Sequence, residues 1–326
     1  MRKTNLFSIV LMIVFSLTNL YSQEDAVKGE KKEEIPMYGL RVVHKTGTFF
    51  TTKIIEVTNI HRILPDQSTK DYSREITYYL TLKVPSSAEG GFQTLVVTVD
   101  SLAYKFKEGE TVFEFNTMDM QGNALRFKDL NSKTVPIGRE FEMIYSPYGE
   151  VAKIQGADID ETLDYVREKG EGYLSDVEMY IWVNGLSKEH LAYLADMKKI
   201  ILPQEKVAKD SLWYSPISLE LNGYSFNDTL AFRIVNYNAG AYTLEGESLN
   251  ILPLNKDSFT YNISGLVKVT GVTGEGKAKM QLKATGRVES LETDYNVNAK
   301  IQVGEQYVIE QIKSNIKWEL INVFQL

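Results

Sequence analysis

The stretch of this chain nearest to a reaction signature is Gly271-Val-Thr-Gly-Glu-Gly-Lys277-Ala278, which has the spacing of a phosphate-binding loop up to its lysine. Such a loop needs a Ser or Thr after the lysine to hold a metal, and a helix whose first N–H groups point at phosphate. Here Ala278 replaces the hydroxyl and a strand-like pattern follows, so the stretch reads as a Gly-rich hairpin between two long strands. The three histidines, His44, His61 and His190, form no HExxH-like pair, and with no cysteine in the chain a thiolate metal site is excluded. His190 falls in the first turn of an expected helix, and a surface or capping role is assigned to the histidines. Asp158-Ile-Asp160-Glu-Thr-Leu-Asp164 opens like a calcium loop, but lacks its Gly at the sixth position and its Glu at the twelfth. Glu140 and Glu142 share one strand face, a spacing that could serve glycoside hydrolysis. With 43 acidic residues in the chain, such pairs arise without any catalytic meaning. No GxSxG elbow is present. The residues therefore point to a protein that is not an enzyme, with no catalytic group, no cofactor and no metal.

One segment is unusual for another reason. Met179-Tyr180-Ile181-Trp182-Val183 is apolar all the way round, whereas a helix lying on a sheet needs only one apolar stripe. Either both faces are covered by protein, or one faces a hydrophobic ligand. Tyr180, Ile181 and Trp182 are the candidate apolar-ligand face.

The elements that would position this helix are mainly strands. Residues 73–84 alternate, with Ile76, Tyr78, Leu80 and Leu82 on one side and Glu75, Thr77, Thr81 and Lys83 on the other, so one face is buried and one wet. The same period recurs from Ala278 to Val288, from Tyr295 to Val303, and through Ile312, Ser314, Ile316, Trp318 and Leu320. A strand of 12 residues spans roughly 40 Å, and over such lengths twist accumulates into curvature. The expected fold is mainly β, with long curved antiparallel sheets resembling a half-barrel and a central segment of short helices. Residues 141–156 and 232–246 both read as strand, turn and strand, which raises a duplication of one unit against a chance likeness. Between the β segments, Asp158 with Glu161, Ser175 with Glu178, and Ser187 supply three helix N-caps, with Gly170 and Gly185 as stops.

The N-terminus sets the compartment. Arg2 and Lys3 precede an apolar run from Leu6 to Leu20, with Ser22 before Gln23, which is the layout of a secretory signal peptide over residues 1–22. The run is interrupted by Ser8, Ser16, Thr18 and Asn19 and is shorter than the roughly 20 apolar residues of a membrane span. Residues 23–36 mix both charges and offer little to bury, as a solvated tether does. A first β domain over 37–156, a helical segment over 157–203 and a second β domain over 204–326 follow, or one large sheet system. Losing residues 1–22 would remove two cations and leave 34 Lys and Arg against 43 Asp and Glu, a balance that argues against nucleic acid as a partner. Without cysteine no disulfide staples the fold and no lipoprotein anchor can form.

The stretch Gly138-Arg-Glu-Phe-Glu-Met-Ile-Tyr-Ser-Pro-Tyr-Gly149-Glu-Val-Ala-Lys-Ile-Gln-Gly156, followed by helices, Leu202-Pro203 and Trp213, resembles an exported Bacteroidota-like family of unknown function with paired long-strand β segments. The resemblance implies fold and compartment and carries over no catalytic residue. The expectation is a non-enzymatic protein of the periplasm or cell envelope, or secreted. It would be a binding module for a lipid, another apolar ligand or a protein segment, without a membrane span once the signal is cleaved. The alternative is a structural or scaffolding envelope protein that contacts a protein or glycan. A small outer-membrane barrel is a third reading, which the helices between Asp158 and Lys199 oppose.

Overall fold

Most stretches with a two-residue period form strands. The computed structural model describes residues 35–85, 91–118, 128–254, 256–258 and 265–325. The signal peptide expected over 1–22 and nearly all of the tether lie outside them. In chain order the elements are β1 (Met37–Tyr38), β2 (Thr48–Ile63), β3 (Thr69–Lys83), β4 (Gln93–Glu108), β5 (Thr111–Asn116), α1 (Lys128–Thr134), β6 (Glu140–Tyr145), β7 (Val151–Gln155), α2 (Ala157–Gly170), α3 (Asp176–Gly185) and α4 (Lys188–Ala195). Then come β8 (Val207–Ala208), β9 (Trp213–Leu221), β10 (Tyr224–Asn238), β11 (Ala241–Ser248), β12 (Leu252–Pro253), β13 (Lys268–Lys283), β14 (Val288–Val303) and β15 (Gln306–Gln325).

Apart from the small β1–β8 pair, the strands form one 13-stranded sheet whose main path runs β12-β10-β11-β13-β14-β15-β2-β3-β4-β6-β7, with β9 on β10 and β5 on β4. The two β segments thus share one sheet: β15 pairs antiparallel with β2, Ile312 opposite Ile60 and Trp318 opposite Ile54. Met37–Leu326 is a single compact unit. From β9 to β7, both included, eleven strands lie in a row, which laid flat would span roughly 50 Å at about 4.8 Å per strand. Both end strands nevertheless contact α4, so the sheet is rolled into an open half-barrel.

One face of each long strand is inward and buried, as the alternation required. Ile76, Tyr78, Leu80 and Leu82 of β3, Val297, Ala299 and Ile301 of β14, and Ile312, Ile316 and Trp318 of β15 belong to a single core. Leu186, Leu191, Leu194, Met197, Ile200 and Leu202 join the same core from the helical segment, so the concave face is filled by α4 and the residues after it. Outward positions carry wet polar pairs such as Lys53 with Glu319 and Asn315 with Asp294.

Three expectations about local structure need correction. Gly271 to Lys277 are not a hairpin: they run through the middle of β13, paired with β14 from Gly271 opposite Lys300 to Lys277 opposite Asp294. The glycines are needed there because the ring of Tyr295 lies against Gly276 and the backbone of Asn296 and Val297 against Gly274. The strand read over 278–288 breaks instead, with a turn between Lys283 and Val288 closed by Gly286 N–H to the Lys283 carbonyl. Gly286 takes a positive φ of 93° there. Finally, α2 starts after Gly156 with no side-chain cap; Asp158 lies inside the helix, where its carbonyl accepts from the Thr162 hydroxyl. The other two caps form: Ser175 and Glu178 make a reciprocal capping box, and Ser187 accepts from His190 N–H.

Candidate functional site

The rolled sheet leaves a gap between its end strands, and a cleft of about 740 Å³ lies in it. One wall is β7, with Val151, Ala152 and Ile154; the other is β9, with Pro216 and Ile217; α4 and the residues following it supply Ala192, Tyr193, Asp196, Lys199, Ile200 and Ile201. Two hydrogen bonds hold the arrangement. Leu202 N–H donates to the Tyr148 carbonyl at 2.7 Å on the β7 side, and Ile201 N–H donates to Ser215 Oγ of β9 at 2.7 Å. The stretch after α4 is therefore tied to both ends of the sheet. Gly149 is obligatory in this frame: its φ is +91°, and an added Cβ would fall 1.9 Å from Lys198 Cε.

Lys199 is the chemically unusual member of the cleft. Its residue is only 8% exposed, and its backbone sits in the left-handed region at φ 52°, a conformation that disfavours a lysine. Its Nζ donates to the Ala192 carbonyl at 3.2 Å, and lies 4.5 Å from the centre of the Tyr193 ring and 5.1 Å from that of Trp318. No carboxylate pairs with it among the described residues; the adjacent Asp196 is taken by Lys198 at 2.6 Å. Burial is the main cause that lowers the Lys199 amine from 10.5 to about 7, with Asp196 opposing and Lys198 assisting. Asp228, 2% exposed, also lines the cleft. It accepts from Tyr295 OH at 2.9 Å and Ser248 Oγ at 2.9 Å, so each of its oxygens holds a hydrogen bond.

Behind the cleft a polar seam crosses the core. Glu310 accepts from Arg62 Nε at 2.7 Å and from Asn222 Nδ2 at 2.8 Å. Glu56 accepts from Arg74 Nη2 at 3.0 Å and from Tyr193 OH at 3.5 Å, which links the seam to the ring that faces Lys199. Glu220 accepts from Lys133 Nζ at 2.6 Å and lies 3.2 Å from His190 Nδ1. Against its burial, Lys133 and His190 hold the Glu220 carboxyl well below the usual range. His190, expected at the surface or as a cap, is buried and is the inner partner of that carboxylate. His44 precedes β2 in irregular backbone clasped by the Gln93 amide.

The sequence candidates lie elsewhere. Ile181 is buried, and Tyr180 and Trp182 are half-buried on α3, which packs mainly on α1 with lesser contacts to α2 and α4. The Tyr180 phenol bonds Ser258, and burial together with Glu220 raises its pKa. None of Tyr180, Ile181 and Trp182 lines the cleft. Glu140 and Glu142 both face outward, Glu142 accepting from Gln155 Nε2 at 2.7 Å.

No protein-family model matches the sequence, and no curated protein matches it. Among solved structures, the chain is similar to one described as lipid–protein interactions in lipovitellin, at 9% identity and a TM-score of 0.46, over 86% of this chain and 26% of that one. The chain therefore spans about a quarter of that protein's length. A domain assigned to outer-membrane lipoprotein sorting in Vibrio parahaemolyticus aligns over 85% of this chain and 84% of its own, at 7% identity and a TM-score of 0.14. OccK7 (OpdD) of Pseudomonas aeruginosa aligns over 84% and 99%, at 8% identity and a TM-score of 0.19. Likenesses this weak do not establish a shared function.

Proposed function

We propose that this chain is an exported, non-enzymatic binding module of the cell envelope that takes an elongated apolar ligand in the cleft between β7 and β9. The observation that carries this reading is the cleft itself. A space of about 740 Å³ falls within the usual range for small-molecule sites of about 300 to 1,000 Å³, and its walls set the aliphatic Val151, Ile154, Ile200, Ile201, Ile217 and Leu252 beside polar groups such as Lys153, Ser218, Asn227 and Asp228. Export rests on the charge and length of the first 22 residues. The outward face of the sheet supports a wet surface over a lipid-facing barrel, because Lys53, Glu292, Asp294, Lys317 and Glu319 stand on it. The scaffolding alternative would use that polar face and leave the cleft empty of ligand.

Native mass spectrometry with lipid extraction of the mature protein tests the reading. Ala152 is exposed on the β7 wall, so Ala152→Trp fills the cleft without disturbing the core. A co-purifying apolar molecule that is lost in Ala152→Trp at unchanged melting temperature supports the binding module. A parent that carries no such molecule and binds no acyl probe refutes it and favours the scaffold.

A further inference from the structure

Buried ammonium groups are costly unless a counter-charge or several acceptors replace water. Lys199 has one acceptor, the Ala192 carbonyl, and two ring faces, where an ammonium carries three donors. Ala192 and Tyr193, two of the three groups its Nζ meets, line the cleft together with Lys199 itself, while the third, Trp318, belongs to the core, so the ammonium stands between the cleft wall and the core with donor capacity to spare. Its left-handed backbone adds strain at the same residue, and strain of this kind collects at functional positions. Two further carboxylates line the cleft: Asp228 already accepts from Tyr295 and Ser248, and Glu189 is exposed on α4; neither forms an ion pair with Lys199. The aliphatic side chains of Ile200, Ile201, Ile217 and Val151 flank the same space.

We propose that Lys199 is the anchor for the carboxylate head of a fatty-acyl ligand whose chain lies along the apolar walls of the cleft. This rests on the cleft being the ligand site, and adds the ligand's charge and its point of attachment. The geometry gives recognition a proton dependence. The charged and titratable groups around Lys199 are Asp196 and Lys198 from its own segment, Tyr193 from α4, and, through Tyr193, Glu56, Arg74, Glu220 and Tyr78; Lys153 of β7, Lys188 and Glu189 of α4 and Asp228 of β10 line the same cleft. Of these, Asp196 is engaged by Lys198 and Glu56 by Arg74. An anion binds the protonated amine, so affinity for a carboxylate falls as pH rises above about 7.

The test compares dodecanoate with dodecanol, probes of the same chain length, by isothermal titration calorimetry on the mature protein and on Lys199→Met at pH 6 and pH 9. Dodecanoate should bind the parent at pH 6 roughly 10- to 100-fold more tightly than dodecanol, the range of a charge-assisted hydrogen bond. That advantage should vanish in Lys199→Met and shrink at pH 9, while dodecanol binding stays constant throughout. Equal affinity for the two probes in the parent, or an advantage that survives in Lys199→Met, overturns the role of Lys199 and leaves the cleft as an apolar site. Absence of binding by either probe overturns the cleft reading as well. A melting curve confirms that Lys199→Met is folded, and Lys199→Arg, which keeps the charge, should retain preference for dodecanoate.

Discussion

Removing the Lys199 amine should stabilise the empty protein, and by an amount that depends on pH. The amine falls from 10.5 in an exposed lysine to about 7 in the fold, which corresponds to about 5 kcal/mol of unfavourable interaction with the charged form at about 1.4 kcal/mol per pKa unit. Between those two values the unfolded chain holds the proton and the folded chain does not, so the parent's stability climbs with pH across the window. Below pH 7 the whole penalty is present; above pH 10.5 it is gone. Methionine fills similar space without charge but forfeits the hydrogen bond to the Ala192 carbonyl, a loss of about 1 kcal/mol. Lys199→Met should therefore gain about 4 kcal/mol at pH 6 and about 2 kcal/mol near pH 8.5, with no gain or a small loss near pH 10. Urea unfolding of parent and variant at the three pH values measures this directly. A variant no more stable than the parent at pH 6, or a difference that does not change with pH, would refute the account of Lys199 as a buried ammonium without a counter-ion.

Gly149→Ala should cost about 1 to 2 kcal/mol by thermal melt, because its left-handed backbone disfavours a Cβ and the end of the Lys198 side chain must shift to admit one; a neutral result would refute the strain assigned to this position. Glu310→Ala should cost about 3 to 5 kcal/mol by leaving Arg62 buried without its carboxylate, whereas Arg62→Met combined with Glu310→Leu should recover most of the loss. If the double variant is as unstable as the single one, the pair contributes net stability after all. His44 is lowered from 6.5 to about 4, first by burial and then by Lys198 and Arg287. The unfolded chain therefore takes up a proton that the folded chain refuses, and up to about 3 kcal/mol is lost as pH falls from 6.5 to 4. His44→Phe keeps the backbone contacts to Gln93 and should flatten that part of the acid unfolding curve.

The strands were legible because their alternation has a physical cause that acts residue by residue: Ile76, Tyr78, Leu80 and Leu82 face the core and Glu75, Thr77 and Thr81 do not. Alternation alone could not find where one strand ends. Ala284, Gly286 and Val288 keep the period through a turn, and the glycines of β13 imitate a turn inside a strand because they make room for Tyr295. The buried charges were half legible. Glu56, Arg62 and Arg74 stand at inward positions of β2 and β3, so parity alone would have placed them in the core. Their partners could not be read, since Glu310 meets Arg62 across 248 residues through the β15–β2 pairing. The apolar helix segment Tyr180–Trp182 drew attention by composition, yet it packs largely against other helices. Lys199, in contrast, sits in the unremarkable run Asp196-Met-Lys-Lys199, and gains its chemistry only when Tyr193 and Trp318 converge on it.

The cleft persists for the same reason that the sheet does not close. Two free strand edges brought this near each other would ordinarily pair, because each carries unsatisfied N–H and C=O groups. Pro216 lies in the middle of β9 and cannot donate, and β7 is only five residues long and carries Lys153, features that blunt edges in many sheets. Helix α4 then stands between the edges and contacts both, while Ile201 and Leu202 donate one hydrogen bond to each side. Closing the gap would require expelling α4, whose Leu191 and Leu194 are fixed in the core. The opening is thus held by packing on one side and by edge chemistry on the other. On the proposed reading, a ligand that fills it meets aliphatic walls and the Lys199 ammonium, with the exposed Lys153, Lys188 and Glu189 beside them.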